Sequence, residues 1–314
     1  MLEESTPRVD RRRYGDLVPQ EPSNPGNRQV TTSDGLGLAV REHGDPQHPT
    51  VLCVHGYPDN SSLWDGVVGQ LAHRFHVVVY DVRGAGESQA PEQRSGYGLD
   101  QLARDLVAVA DEVSPRNQVH LLAHDWGSVQ SWHALSTARG RIASLTSISG
   151  PRLDHTGPWF AERLRHPTAR GLGQLLAQLG LSSYTGFFQV PLLPELAWRA
   201  GLLPRIVRTA QRIDPSASDP PLPATGDGLR GLELYRANMF TGESRAPRRT
   251  DVPVQVLAPK SDLFITPALQ TAVAGWVDDL VVHELPGGHW IPRSRPGVVA
   301  EFAAEHVDRV ERTG

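Results

Sequence analysis

Between residues 36 and 150, short apolar runs alternate with stretches in which apolar side chains recur every three or four positions. Runs that stay apolar throughout fit strands covered on both faces, whereas the wider spacing fits amphipathic helices. Leu36–Arg41, Thr50–His55, Phe75–Asp81, Gln118–Ala123 and Ile142–Ser149 are therefore expected as strands. Ser61–His73, Leu99–Val113 and Trp126–Arg139 are expected as helices, the first with Ser61 or Ser62 available as its N-cap. Such alternation implies an α/β architecture built on a doubly wound parallel sheet. The rhythm breaks near Pro151. From there to Arg249 the pattern is helical and interrupted by proline clusters such as Pro220-Pro221-Leu222-Pro223. Strand patterns return at Val252–Ala258 and Leu280–Leu285, and a helix from about Pro296 closes the chain. The organisation expected is a loose arm over residues 1–25, a core over 26–150 and 250–314, and a helical cap over 151–249. Helices inserted there would cover the strand ends, where sheets of this kind bind ligands.

Composition narrows the function classes. Hydrophobic residues make up 39% of the 314, enough for a real core. Lys+Arg 31 against Asp+Glu 35 gives a net charge of −4, which argues against nucleic acid as a partner. Cys53 is the single cysteine, so an intrachain disulfide is excluded, and its apolar surroundings read as core. No stretch reaches the roughly 20 apolar residues of a membrane span, and no signal-peptide pattern opens the chain, so a cytoplasmic location is expected. Metal ligands at recognisable spacing are absent. Gly84 and Gly86 lack the third glycine and the following helix of a dinucleotide site, so no cofactor is expected. Oligomeric state is not fixed by the sequence, and a homodimer is left open.

The chemistry starts at Leu121-Leu122-Ala123-His124-Asp125-Trp126-Gly127-Ser128, where an apolar strand runs straight into a helix. Small residues two before and two after the apex, here Ala123 and Gly127, are what a nucleophile elbow requires, because its backbone is strained and tightly packed. The apex is Asp125. A carboxylate can displace at an sp3 carbon to leave an alkyl ester that water then hydrolyses, whereas attack on an ordinary ester would give only an anhydride. Epoxide or carbon–halogen opening is favoured accordingly, and Ser128, inside the helix, is a poor nucleophile. Alone, Asp125 would equally suit a helix N-cap. The loop His55-Gly56-Tyr57-Pro58 after an earlier strand nominates the backbone N–H groups of Tyr57 and Trp126 as an oxyanion hole. Beyond the insertion, Asp262 follows one strand and His289 follows the next, in the order nucleophile, acid, histidine. His289 is the candidate base and Asp262 its orienting acid. His283 sits within a strand and Asp154 is the only carboxylate near the alternative acid position.

Taken with Asp81-Val82-Arg83-Gly84-Ala85-Gly86-Glu87-Ser88, these motifs resemble the α/β-hydrolase epoxide hydrolases from about residue 27 to the C-terminus. The chain also looks like the hydrolase half of bacterial proteins in which such a domain is fused to a short-chain dehydrogenase. The resemblance implies an α/β-hydrolase fold, a mostly parallel eight-stranded sheet with a helical cap inserted after the sixth strand. It also implies two cap tyrosines that protonate the epoxide oxygen, and Tyr184 in Tyr184-Thr185-Gly186-Phe187-Phe188-Gln189 and Tyr235 in Leu234-Tyr235-Arg236-Ala237-Asn238-Met239 match those motifs. An alkoxide leaving group is strongly basic, so neutral phenols suit it. Two positions depart from the family: Ala123 stands where glycine is frequent, and Leu192 follows Pro191 where glycine is expected. The implied reaction turns a small lipophilic epoxide into a vicinal diol through an ester on Asp125. A haloalkane dehalogenase would share Asp125, Trp126, Asp262 and His289, but Tyr57 stands where its halide-binding Asn is frequent. A non-catalytic binder would have no use for the base.

Overall fold

A computed structural model of the chain describes residues 26–313 apart from 139, 213–219 and 241–246; the arm read over residues 1–25 lies outside them. Eight strands form one sheet: β1 (Gly26–Thr31), β2 (Gly37–His43), β3 (Thr50–Val54), β4 (His76–Tyr80), β5 (Val119–His124), β6 (Ile142–Ile148), β7 (Val254–Pro259) and β8 (Leu280–Leu285). Their spatial order is β1-β2-β4-β3-β5-β6-β7-β8. From β4 to β8 every pairing is parallel, while β2 runs antiparallel to both β1 and β4. The fold class is as expected, with two differences of detail. The β1 strand carries Asn27, Arg28 and Gln29 and has one neighbour among the described residues, so an edge strand of this polarity leaves no apolar run to read. The helix expected from Ser61 begins as a 3₁₀ turn, Ser61–Trp64, and its cap is Asn60, whose side chain accepts the Ser62 N–H, not Ser61 or Ser62.

The parallel strands are apolar throughout because both faces are covered. Val78 and Tyr80 of β4 pack with α2 (Leu99–Val113) and α3 (Trp126–Thr137), while Val77 and Val79 pack with α1 (Asp65–Leu71) on the other side. Burial at roughly 25 cal/mol per Å2 makes such a two-sided core the main source of stability. Among the described residues six helices lie between β6 and β7: α4 (Leu153–Arg165), α5 (Ala169–Leu181), α6 (Ser183–Gln189), α7 (Leu193–Arg199), α8 (Leu202–Gln211) and α9 (Thr225–Asn238). Three more, α10 (Pro267–Gln270), α11 (Ile291–Ser294) and α12 (Pro296–Glu311), complete the described chain.

Two local devices hold the site's surroundings. Arg83 is buried under the sheet ends, paired to Asp105 at 2.5 Å and Asp34 at 2.9 Å and donating to the Gly96 carbonyl, which makes the 81–88 segment a fixed structural loop. At the start of α7, Leu192 takes φ 69°, the left-handed geometry that a glycine would adopt freely. It is the position at which a glycine was expected. The leucine costs roughly 1 kcal/mol of backbone strain there.

Candidate active site

Asp125 is the only residue between β5 and α3, and its backbone sits at φ 52°, ψ −124°. Such geometry is costly for any residue with a side chain and persists only where neighbours fix it. Three glycines make the close approach possible. A Cβ on Gly127 would collide with the carbonyls of Val54 and His55, one on Gly56 with the Asp125 carboxylate, and one on Gly150 with the Asp125 carbonyl. The Asp125 side chain makes no capping bond to α3, so it is not there as an N-cap. It turns to the cavity instead. Ser128 faces the core, fully buried with its Oγ 2.5 Å from that of Ser147.

The carboxylate is held from two directions. Oδ1 accepts the Tyr57 N–H at 2.7 Å, and the Trp126 N–H, the other group nominated for an oxyanion hole, is near enough to pull the carboxyl's value down. On the other side His289 Nε2 lies 3.7 Å from Oδ2. His289 Nδ1 is 3.1 Å from both Asp262 oxygens, and Asp262 is steadied by accepting the Phe264 and Ile265 N–H groups at 2.8 and 3.1 Å. An acceptor at Nδ1 fixes the imidazole so that Nε2 addresses Asp125. Burial raises the Asp125 carboxyl from 3.8 to about 6, against the opposing pull of His289 and the two amides. Burial alone would depress His289, but the Asp262 charge and hydrogen bond, then Asp125, carry it above the ordinary histidine value. His283, in β8, instead stacks on Phe302, and Asp154 is tied to Arg152 at 2.8 Å, so neither rival joins the site.

Tyr184 on α6 and Tyr235 on α9 reach the same cavity as Asp125 and His289. Their rings meet edge to face with centroids 5.8 Å apart, and each phenol bears on the other's ionisation. Burial, reinforced by the nearby Asp125 charge, raises the Tyr184 phenol, and burial also raises Tyr235 well above the ordinary range. Both stay neutral, able to donate. The cavity measures about 390 Å3, and apart from these polar groups and Ser183 its walls are largely apolar, including Phe188, Leu203, Val207, Phe264 and Trp290. It suits a lipophilic ligand with one polar centre. All five residues expected to act together are thus brought together, with the two expected amides.

Three contributions were not read from the sequence. The Tyr57 side chain joins core to insertion: its hydroxyl accepts the Trp198 indole N–H at 2.7 Å and donates to the Gly228 carbonyl at 3.1 Å, and its ring meets Tyr235 and Phe188 edge to face. Phe264 and Trp290 wall the His289 ring at centroid distances of 4.7 and 4.8 Å, and Trp290 is itself anchored by its N–H to Asp59 at 2.7 Å. The His55 ring locks the loop 55–58, bonding the Gly56 carbonyl through Nδ1 and accepting the Val82 N–H at Nε2. The only sequence signal was position, next to Asp262, to His289 and inside His55-Gly56-Tyr57-Pro58.

The chain is 37% identical over 292 residues to a protein named probable oxidoreductase EphD in Mycobacterium tuberculosis, an alignment taking in 90% of this chain and 49% of that protein. It spans about half the length of that relative. It is also 36% identical over 130 residues to epoxide hydrolase A of the same organism, covering 41% of this chain and 40% of that one. Among solved structures, a variant of an epoxide hydrolase from Bacillus megaterium in complex with its diol product gives a TM-score of 0.74 at 22% identity, covering 90% of this chain and 100% of that one. An epoxide hydrolase from Vigna radiata gives 0.69 at 22%, covering 91% and 98%. At such identities the likeness carries the fold alone. Residues 49–295 of the 314 match the family described as alpha/beta hydrolase fold, and the chain belongs to that family.

Proposed function

We propose that the protein hydrolyses a lipophilic epoxide to a vicinal diol through an alkyl ester on Asp125. The observation that carries this reading is a buried carboxylate at a strained elbow, 3.7 Å from an Asp262-paired histidine, sharing one apolar cavity with two neutral phenols. Asp125 attacks one epoxide carbon, the C–O bond breaks, and the oxygen takes its proton from the Tyr184–Tyr235 pair. Water deprotonated by His289 then adds to the Asp125 carboxyl carbon. The Tyr57 and Trp126 amides, already aimed at that carboxyl, hold the developing oxyanion; on collapse the departing diol oxygen takes the proton from His289, and the new Asp125 carboxyl proton returns to the tyrosinate. In this reading residues 151–249 act as a cap over a core formed by 26–150 and 250–314, and the protein works in the cytoplasm. The half-length match to the probable oxidoreductase fits a chain equivalent to the hydrolase half of a hydrolase/short-chain-dehydrogenase fusion.

Carbon–halogen cleavage fits less well. A departing halide would be met by the Trp126 indole, yet Trp126 does not line the cavity that holds Asp125, whereas Tyr184 and Tyr235 do. Phenol loss is therefore expected to matter. Tyr184→Phe or Tyr235→Phe should each lower kcat/KM for an epoxide by about 10–100-fold, and the double variant by about 10³-fold or more, within the range of general-acid contributions. Rates of ester formation under single turnover check this, since the acid acts in that half alone.

The test of the whole reading is isotopic. After many turnovers in heavy-oxygen water, the peptide containing Asp125 should gain heavy oxygen in its carboxyl group, while a first turnover should deliver ordinary oxygen from the protein into the diol. Label entering the diol directly in the first turnover would rule out the ester.

A further inference from the structure

The cavity opens among side chains that a water-exposed surface gains nothing from carrying. Phe187 of α6 and Leu202 and Ile206 of α8 line the cavity and are also exposed, the last two by 54% and 52%. Beside them α7 presents Leu193 and Leu196, Leu193 standing one helical turn before the cavity-wall residue Ala197 and so on the same side. Leu192, at the start of α7, is 69% exposed. That leucine occupies a left-handed backbone position where glycine would be cheaper, and its side chain finds no burial to offset the strain. Among the described residues nothing accounts for an apolar side chain there. Contiguous exposed apolar surface of this kind marks a site of association.

The charge around it says with what. Residues 163–212 carry seven arginines and a single acidic residue, Glu195, itself held by Arg236, in a chain whose net charge is −4. Arg199 and Arg205 are exposed beside the leucines of α7 and α8. A second copy would set this same face against itself, because a two-fold contact is isologous, and its arginines would oppose each other. Exposed leucines with arginines at their edge match an interfacial helix on an anionic bilayer, where acyl chains receive the leucines and headgroups the guanidinium groups.

We propose that the face built by α6, α7 and α8 around the cavity mouth docks on an anionic lipid bilayer, so that a lipophilic ligand enters the cavity from the acyl region. The contact is peripheral; among the described residues no helix is long and apolar enough to cross a membrane. It goes beyond the epoxide reading and is tested by binding alone, so either can fail without the other.

The full chain is sedimented with vesicles of phosphatidylcholine, with and without phosphatidylglycerol, and its mass in solution is measured by light scattering. Binding is expected only with phosphatidylglycerol and should fall steeply at about 0.5 M salt, where screening is short-ranged. The pairs Leu192→Ser/Leu196→Ser and Arg199→Glu/Arg205→Glu should each weaken binding by about tenfold or more while keeping the parent melting temperature. Neither pair lines the cavity, so turnover of a water-soluble substrate should be unchanged. Absence of binding to anionic vesicles, or variants that bind like the parent, would overturn the proposal. So would a dimer that the leucine pair converts to monomer, since a second copy would then be what covers this face.

Discussion

Asp125→Asn is expected to lower epoxide turnover by about 10⁴-fold or more, the scale on which removal of a covalent nucleophile acts, and at the same time to make the protein more resistant to unfolding at pH 8. The amide keeps an oxygen where Oδ1 accepts the Tyr57 N–H, and asparagine tolerates the positive φ of the elbow better than most residues. What is lost is nucleophilicity, since a neutral amide does not displace at carbon. What is relieved is the burial of a charge. With its value raised from 3.8 to about 6, ionised Asp125 destabilises the fold by up to about 3 kcal/mol, a penalty absent below pH 3.8 and complete above about 6. That value already includes the opposing attraction of His289. Stability should therefore rise in the variant above pH 6 and converge with the parent near pH 4. Chemical denaturation at both pH values measures it. The sample must be fresh and its mass verified, because water activated by His289 could hydrolyse the amide back to aspartate. A stable variant with parental turnover would remove Asp125 from the reaction.

How much of this was legible depended on whether the cause was local in sequence. The elbow could be read because strain demands small residues at fixed offsets, and Gly127 and the apex Asp125 lie within three positions of each other. His289 and Asp262 could be placed because each follows an apolar strand whose neighbour is known from the fold. Asn60 took the cap expected of Ser61 or Ser62 because one residue of extended backbone before the turn is invisible in a periodic pattern. The β1 strand escaped because its pairing partner, not its own sequence, makes it a strand. The ring of Tyr57 bonds Trp198 and Gly228, 141 and 171 residues away, a contact that no spacing encodes. The Leu192 departure was visible as a residue out of place, but its positive φ and its exposure are set by the fold and not by the local sequence.

His289→Ala should stop turnover, by about 10³-fold or more, without stopping the first half of the reaction, so that one ester per chain accumulates on Asp125. The electrostatics of the pair explain why the two halves separate. In the free protein His289 faces two carboxylates, Asp262 at 3.1 Å and Asp125 at 3.7 Å, and their charges hold it above the ordinary histidine value. Alkylation makes Asp125 a neutral ester. One of the groups raising His289 is then gone while the burial that depresses it remains, so its value falls and the ring becomes a free base when a base is first needed. The sign for the carboxylate runs the other way. Ester formation requires ionised Asp125 and should fall as pH drops through about 6. Because His289 lowers the Asp125 value, its removal should move that limb upward in pH. Intact mass after mixing His289→Ala with an epoxide, followed over time and pH, reads both effects. An adduct on Asp125 whose formation limb lies above the parent's is the expected result. Lost turnover with no adduct would leave the ester without support, and a limb that does not move would break the coupling between the two side chains on which the timing depends.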